Sequence, residues 1–219
     1  MASSNMIVIL DYDVGNLASI SNMLRRIGAS ADISSDPAII TDAEGIILPG
    51  VGAFDHAMQK LRDSPLLPAL ERRVFDDRVP LLGLCLGAQL LTKGSEEGRE
   101  TGLSWVDAKT VRFDSTKVVD KLPIPHMGWS HVKTVRTHRL LATNETEQRF
   151  YFAHSYHIQC GDPSLAIGTA KHGYEFTAAI ASSNIMGVQF HPEKSHVFGM
   201  RLLRNFCELV ESRRSATST

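Results

Sequence analysis

Apolar residues follow two rhythms along this chain. Near the start, unbroken aliphatic runs end in turn residues: MIVILD at Asp11, EGIILPG at Gly50 and PLLGLC at Cys85. Such runs read as strands buried on both faces, the habit of parallel sheets. Between them Leu17, Ile20, Met23, Leu24 and Ile27, and then Leu66, Leu67, Leu70 and Val74, recur at the spacing of one helix face. Strands alternating with helices predict βαβ units.

From about Trp105 to Gly187 the pattern becomes richer in strand-like pieces, VDAKTVRF, RFYFAHSYHIQ, FTAAIASS and NIMGVQF, with Ser183 and Asn184 reading as a hairpin turn between the last two. A final helix is expected from about His196 to Ser212, with Phe198, Leu202, Leu203, Phe206 and Leu209 as its apolar stripe. Residues 1–5 and 213–219 are polar and expected to fray. There is no internal repeat and no long linker. A single α/β domain over residues 1–219, with a mostly parallel sheet extended by antiparallel strands, fits this pattern.

Composition narrows the function. With 219 residues, 43% hydrophobic, the chain can bury one full core. Lys+Arg 23 against Asp+Glu 24 leaves a formal net charge of -1, with no basic run to track phosphates, so neither nucleic acid nor a membrane surface is an expected partner. No apolar stretch reaches the length of a membrane span, and MIVIL is too short for a signal core. Cys85, Cys160 and Cys207 are odd in number and scattered, which points to a reducing compartment, the cytoplasm by default.

Chemistry enters at LLGLCLGAQLL, where a strand stops at Cys85 between Gly83 and Gly87 and helical sequence begins at once. A side chain displayed on a sharp strand-to-helix turn needs small neighbours. A thiol there gains from the following helix N-terminus, which favours its anion. In isolation an inert core thiol explains Cys85 more simply. The segment VQFHPEKS shifts that balance: His191 and Glu193, two apart at the end of a predicted strand, should share a face. Together the three could act as nucleophile, base and orienter. Pro192 also suits a plain surface turn.

Gly83, Cys85, Gly87 and Gln89 form G-x-C-x-G-x-Q, and His191, Pro192 and Glu193 form H-P-E. In these residues the chain resembles the class I glutamine amidotransferases. DYDVGNL, PGVGAF, PHMGW, YFAHSY and HPEKS, spread from Asp11 to Ser195, are similar to the branch of glutaminase subunits of imidazole glycerol phosphate synthases, in histidine biosynthesis. The resemblance implies a doubly wound sheet and hydrolysis of L-glutamine to glutamate and ammonia through a thioester on Cys85, with no cofactor and no metal. It implies oxyanion donors on the backbone near Val51 and Gly52, and a substrate site formed by Gln89 with the strand around His154, Ser155 and Tyr156. His154 and His157, three apart on one strand, should face opposite ways and so not pair on a metal.

The same resemblance implies a separate, cyclase-like synthase subunit that accepts the ammonia, facing Tyr12, Asn16, Met127, Trp129 and Lys194. Burial under a loop is the competing expectation for Trp129. Asp13 stands where the branch commonly has glycine, and Ser130 where it commonly has asparagine, which leaves the partner's identity open. The related alternative is a glutaminase serving sugar-nucleotide amidation in surface polysaccharide synthesis. A non-catalytic module of this fold has no need of a thiol paired with a base, and a thiol peptidase would not need Gln89.

Overall fold

The computed structural model describes residues 7–117, 122–143 and 147–217; residues 1–5 and 218–219 of the expected frayed ends lie outside them. The first half runs β1 (Ile7–Leu10), α1 (Leu17–Arg26), β2 (Ala31–Ser34), α2 (Pro37–Thr41), β3 (Gly45–Leu48), α3 (Phe54–Asp63), α4 (Leu66–Phe75), β4 (Leu81–Leu84) and α5 (Leu86–Leu90). The second half adds β5 (Ala108–Arg112), β6 (His126–His131), β7 (Lys133–Thr134), β8 (Arg149–His154), β9 (Tyr156–Cys160), β10 (Ala166–His172), β11 (Tyr174–Ser182), β12 (Ile185–Val188) and α6 (His196–Thr217).

The aliphatic runs become the parallel centre of a ten-stranded mixed sheet in the order β2-β1-β3-β4-β12-β11-β10-β7, with β5 and β9 branching from β11. Alternation in β1 shows why both faces must be covered. Ile7 and Ile9 pack with Ile20 and Leu24 of α1 and Leu203 and Phe206 of α6, while Val8 and Leu10 pack with Phe54, Met58, Leu61, Leu70 and Val74 of α3 and α4. Each fully buried aliphatic side chain contributes ~1.5–3 kcal/mol relative to exposure. Helices therefore coat both sides of the sheet, and its parallel strands end together at one edge.

The hairpin at Ser183–Asn184 joins antiparallel β11 and β12, with Ser183 at φ 53 and the Asn184 amide donating to the Val74 and Val79 carbonyls. Two expectations change. The last helix continues through Thr217 instead of stopping near Ser212, and its inner stripe is Leu202, Leu203, Phe206 and Val210. Arg139 helps to hold that last stretch, donating to the Glu208 carbonyl and the Ser212 hydroxyl.

The run RFYFAHSYHIQ is two strands. β8 pairs with β6 as a separate two-stranded ribbon, whereas β9 joins β5 and β11 in the main sheet. The break at Ser155 resets the side-chain alternation, so His154 and His157 both pack on the Phe113 ring, with centroids 5.2 and 4.8 Å away, rather than facing apart. No group of side chains suited to a metal ion occurs among the described residues, and none of their helices is long and apolar enough to cross a membrane.

Candidate active site

Cys85 is the hinge residue between β4 and α5, with φ 53 and ψ -110. A non-glycine residue held there stores ~1–3 kcal/mol of backbone strain. The surrounding structure imposes it: the Cys85 N–H donates to the Val188 carbonyl at 2.8 Å, fixing the turn to the neighbouring strand. The small residues around it are steric necessities. A Cβ on Gly87 would lie 2.0 Å from the Leu48 carbonyl oxygen, and one on Gly50 would lie 2.5 Å from the Gly87 nitrogen. The PGVG turn after β3 is thus pressed backbone to backbone against the start of α5. Tyr12 braces it from below by donating its hydroxyl to the Pro49 carbonyl.

The base arrives from the far side. His191 follows β12, and the turn Pro192–Lys194, a 3-10 helix rather than the continued strand expected from the spacing, folds Glu193 back beneath it. The imidazole Nδ1 lies 2.9 Å from Glu193 Oε1, with both side chains almost fully buried. An ionised carboxylate is an acceptor only, so Nδ1 carries the proton and Nε2 is left for the thiol. Burial alone would lower the His191 pKa; the hydrogen bonds with Cys85 and Glu193 and their charges outweigh it and push the group up to about 10.

Val51, Gly52, Cys85, Gln89, His154, Ser155, Tyr156 and His191 all line one pocket of about 400 Å³. Gly52 has φ 100, a conformation that favours glycine, with open space where a side chain would be. A larger hollow of about 1060 Å³ over β5, β9 and β11 contains Cys160. That thiol is pushed up by burial and hydrogen-bonded to Thr177. Cys85 and His191 meet in the smaller pocket, with the Glu193 carboxylate behind the imidazole.

Two residues join the site that the sequence did not single out. Gln189, fully buried, lies with its Nε2 3.8 Å from Cys85 Sγ and accepts the Gln89 amide at 3.0 Å. Glu97 also lines the pocket, and its Oε2 accepts the Phe54 N–H at the start of α3. Gln189 sits two before His191, just past the end of β12, which was a usable signal. Glu97 belongs to the acidic loop SEEGRE, where sequence gives no reason to prefer it over Glu96 or Glu100.

The family model for glutamine amidotransferase class-I matches residues 8–210. The chain belongs to this family. Among similar class I amidotransferases, the imidazole glycerol phosphate synthase subunit HisH 2 of Pseudomonas aeruginosa is 49% identical over 205 residues, 94% of this chain and 100% of that protein. The protein of the same name from Methanococcus maripaludis is 48% identical over 201 residues, covering 92% and 98%. The fold also matches a solved structure described as a putative GMP synthase subunit from Thermoplasma acidophilum, with a TM-score of 0.74 at 19% identity over the whole of both chains.

Around the mouth of this amidotransferase pocket the expected partner residues divide. Met127 and Trp129 project from the outer face of β6, 64% and 44% exposed, and Asn16 and Lys194 are exposed as well. Trp129 is therefore not buried under a loop; its indole stacks on His196 with centroids 5.7 Å apart. Tyr12 departs from expectation: it is 4% exposed, so its side chain supports the PGVG turn and offers no docking surface. Asp13 and Ser130 also differ in role. Asp13 adopts φ 65, the conformation glycine would accept most easily, and pairs with Lys60, while Ser130 turns its hydroxyl inward to His126.

Proposed function

We propose that this chain is the glutaminase subunit of an imidazole glycerol phosphate synthase, passing ammonia to a separate cyclase-like subunit for histidine biosynthesis. The hydrogen-bonded Cys85–His191–Glu193 set at a strained strand-to-helix turn carries the chemical half of this reading. The similarity to HisH proteins along nearly the whole chain supports the pathway over sugar-nucleotide amidation.

In this mechanism Cys85 Sγ attacks the side-chain amide carbon of L-glutamine with the shared proton already held on His191 Nε2. The tetrahedral oxyanion is met by backbone N–H groups near Val51 and Gly52, each such donor being worth ~3 kcal/mol in hydrolases. His191 returns the proton to the leaving nitrogen, ammonia departs, and a thioester remains on Cys85. Water, deprotonated by His191, then releases glutamate and restores the thiol. Glu193 keeps the imidazole in the needed tautomer and balances its charge. Glu97 gives the α-ammonium group of the substrate a carboxylate partner, and Ser155 and Tyr156 wall the pocket.

The test is glutamate release by the purified chain, without and with a cyclase-like synthase subunit, beside a Cys85→Ala variant of unchanged circular dichroism. Release that depends on Cys85 is expected. Undiminished release by the folded variant would end the assignment of the nucleophile, and failure of the synthase subunit to bind would end that of the pathway.

A further inference from the structure

In and behind the pocket wall lies a set of buried histidines that the hydrolytic steps do not use: His126, His154, His157 and His172, gathered about Phe113. Two of them are joined end to end. Ser130 Oγ lies 2.9 Å from His126 Nε2, His126 Nδ1 lies 3.1 Å from His154 Nε2, and His154 Nδ1 lies 2.8 Å from the Tyr156 carbonyl oxygen. The same carbonyl accepts Gln89 Nε2 at 3.1 Å, and Gln89 continues through Gln189 to Cys85 Sγ.

We propose that Ser130, His126 and His154 are positioning residues: a directed hydrogen-bond chain that fixes the Tyr156 carbonyl, and through it Gln89, and so ties the partner-facing strand β6 to the glutamine pocket. The kinetic consequence rests on the glutaminase reading above; the chain itself does not.

Donor and acceptor counting gives the chain one sense. A carbonyl oxygen only accepts, so His154 carries its proton on Nδ1, and its Nε2 must accept if the ring is neutral. His126 must then donate from Nδ1 and accept at Nε2, which leaves the Ser130 hydroxyl as donor. Every link is satisfied by neutral rings and by no other neutral arrangement. The Ser130 hydroxyl could turn to accept from a protonated ring, so it is the surroundings, rather than the links, that decide the charge.

The surroundings favour the neutral rings. His126 is stacked between His172 and Phe152, with centroids 4.3 and 4.9 Å away, and no carboxylate among the described residues is seen to pair with it. Burial, with repulsion from His172, holds His126 down to about 4, and burial drives His154 well below its ordinary range. Ordinary core packing would bury such rings equally well, yet it would not require both to carry the proton on Nδ1. The Tyr156 carbonyl has both lone-pair directions occupied by side chains, one from each limb. Losing the histidine limb leaves Gln89 as the sole tether on that carbonyl.

The experiment uses the full chain labelled with ¹⁵N-histidine, with ring signals assigned by His126→Asn and His154→Asn variants. Long-range proton–nitrogen correlation is expected to show both rings as neutral Nδ1–H tautomers, unchanged from about pH 7.5 to about pH 5.5, across the range where a free histidine titrates. An Nε2–H tautomer, or titration of either ring in that range, overturns the proposal. Ser130→Ala is then expected to disturb the His126 signals and raise the KM for glutamine about five-fold with kcat within about two-fold, the scale of one lost hydrogen bond. Ser130→Thr, which keeps the hydroxyl, should restore both. An unmoved KM would overturn the link to the pocket even with the tautomers as expected. If the wild-type chain turned over no glutamine, with or without a synthase subunit, the functional reading would fail while the ring tautomers still decided the chain.

Discussion

The backbone N–H of His191 donates to the carbonyl of Tyr151 at 2.9 Å, which fastens the base to the middle of β8. Ser195 closes the clasp. Its hydroxyl donates to the His191 carbonyl at 2.6 Å and accepts the Tyr151 N–H at 2.9 Å. Ser195→Ala would leave two backbone groups without these partners at a fully buried position. The Tyr151 N–H would be orphaned, at ~1–3 kcal/mol, while the His191 carbonyl keeps the Lys194 N–H. Melting should fall by about 2–4 °C for each kcal/mol lost in a protein of this size, and scanning calorimetry will read it. An unchanged Tm would mean that the clasp is dispensable.

The triad should behave as one unit. His191→Ala is expected to lower kcat for glutamate release more than Glu193→Gln, because His191 moves the proton and Glu193 orients it. The double variant should be hardly worse than His191→Ala alone. Effects that multiplied would show two independent contributions.

Stability should fall on both sides of neutrality, for different reasons. The folded state raises His191 from 6.5 to about 10, so it binds that proton more tightly than the unfolded chain. This contribution is complete below pH 6.5 and is lost as pH rises through about 10. His126 is the reverse: its pKa falls from 6.5 to about 4, so the unfolded chain takes up the proton first and stability drops across that window as pH falls. Urea unfolding as a function of pH will show both limbs. Cys85→Ala should flatten the alkaline one most and Glu193→Gln part of it, and wild-type alkaline slopes in both variants would contradict this origin.

Gly87→Ala should be far more damaging than its single methyl suggests, since the new Cβ would sit 2.0 Å from the Leu48 carbonyl oxygen. Both neighbours are backbone, so relief requires parting the PGVG turn from α5. Overpacking of this kind costs ~1–3 kcal/mol or more. Glutamate release should fall beyond the loss of folded protein, measured as activity per folded molecule. Wild-type specific activity would show that the seam can open harmlessly.

Trp129→Ala should weaken binding to the synthase subunit, lowering the stimulated glutaminase rate while leaving basal hydrolysis close to wild type. Large exposed aromatics of this kind carry interface energy out of proportion to their area. Titration calorimetry against the synthase subunit, with parallel kinetics, is the measurement. Loss of basal activity instead would give Trp129 a structural role.

The parallel half of the fold was legible because Ile7–Leu10, Gly45–Leu48 and Leu81–Leu84 are buried on both faces and so read as continuous apolar runs. β2 escaped notice for the complementary reason: Ala31–Ser34 is an edge strand with no fully buried residue. The place of Cys85 followed from Gly83 and Gly87. The route of Glu193 did not, because a turn and a strand end place residues two apart equally close. Gln189 and the line from Ser130 to His154 were beyond sequence reading, since they join residues from separate strands through side-chain atoms whose approach only the packed structure decides. Tyr12 shows the converse, a residue at a strand-to-helix handover whose burial no local pattern reveals.

The break at Ser155 divides the molecule into a plate and a flap. The ten-stranded sheet is the plate, and the β6–β8 ribbon is the flap. Two of the flap's fastenings are at His191, the base itself, and at Ser155 beside the substrate wall. Both fasteners are parts of the catalytic apparatus. A protein that presses on the flap therefore has a single lever rather than two separate controls, and shifting it shifts how glutamine is gripped and how it is cut in the same stroke.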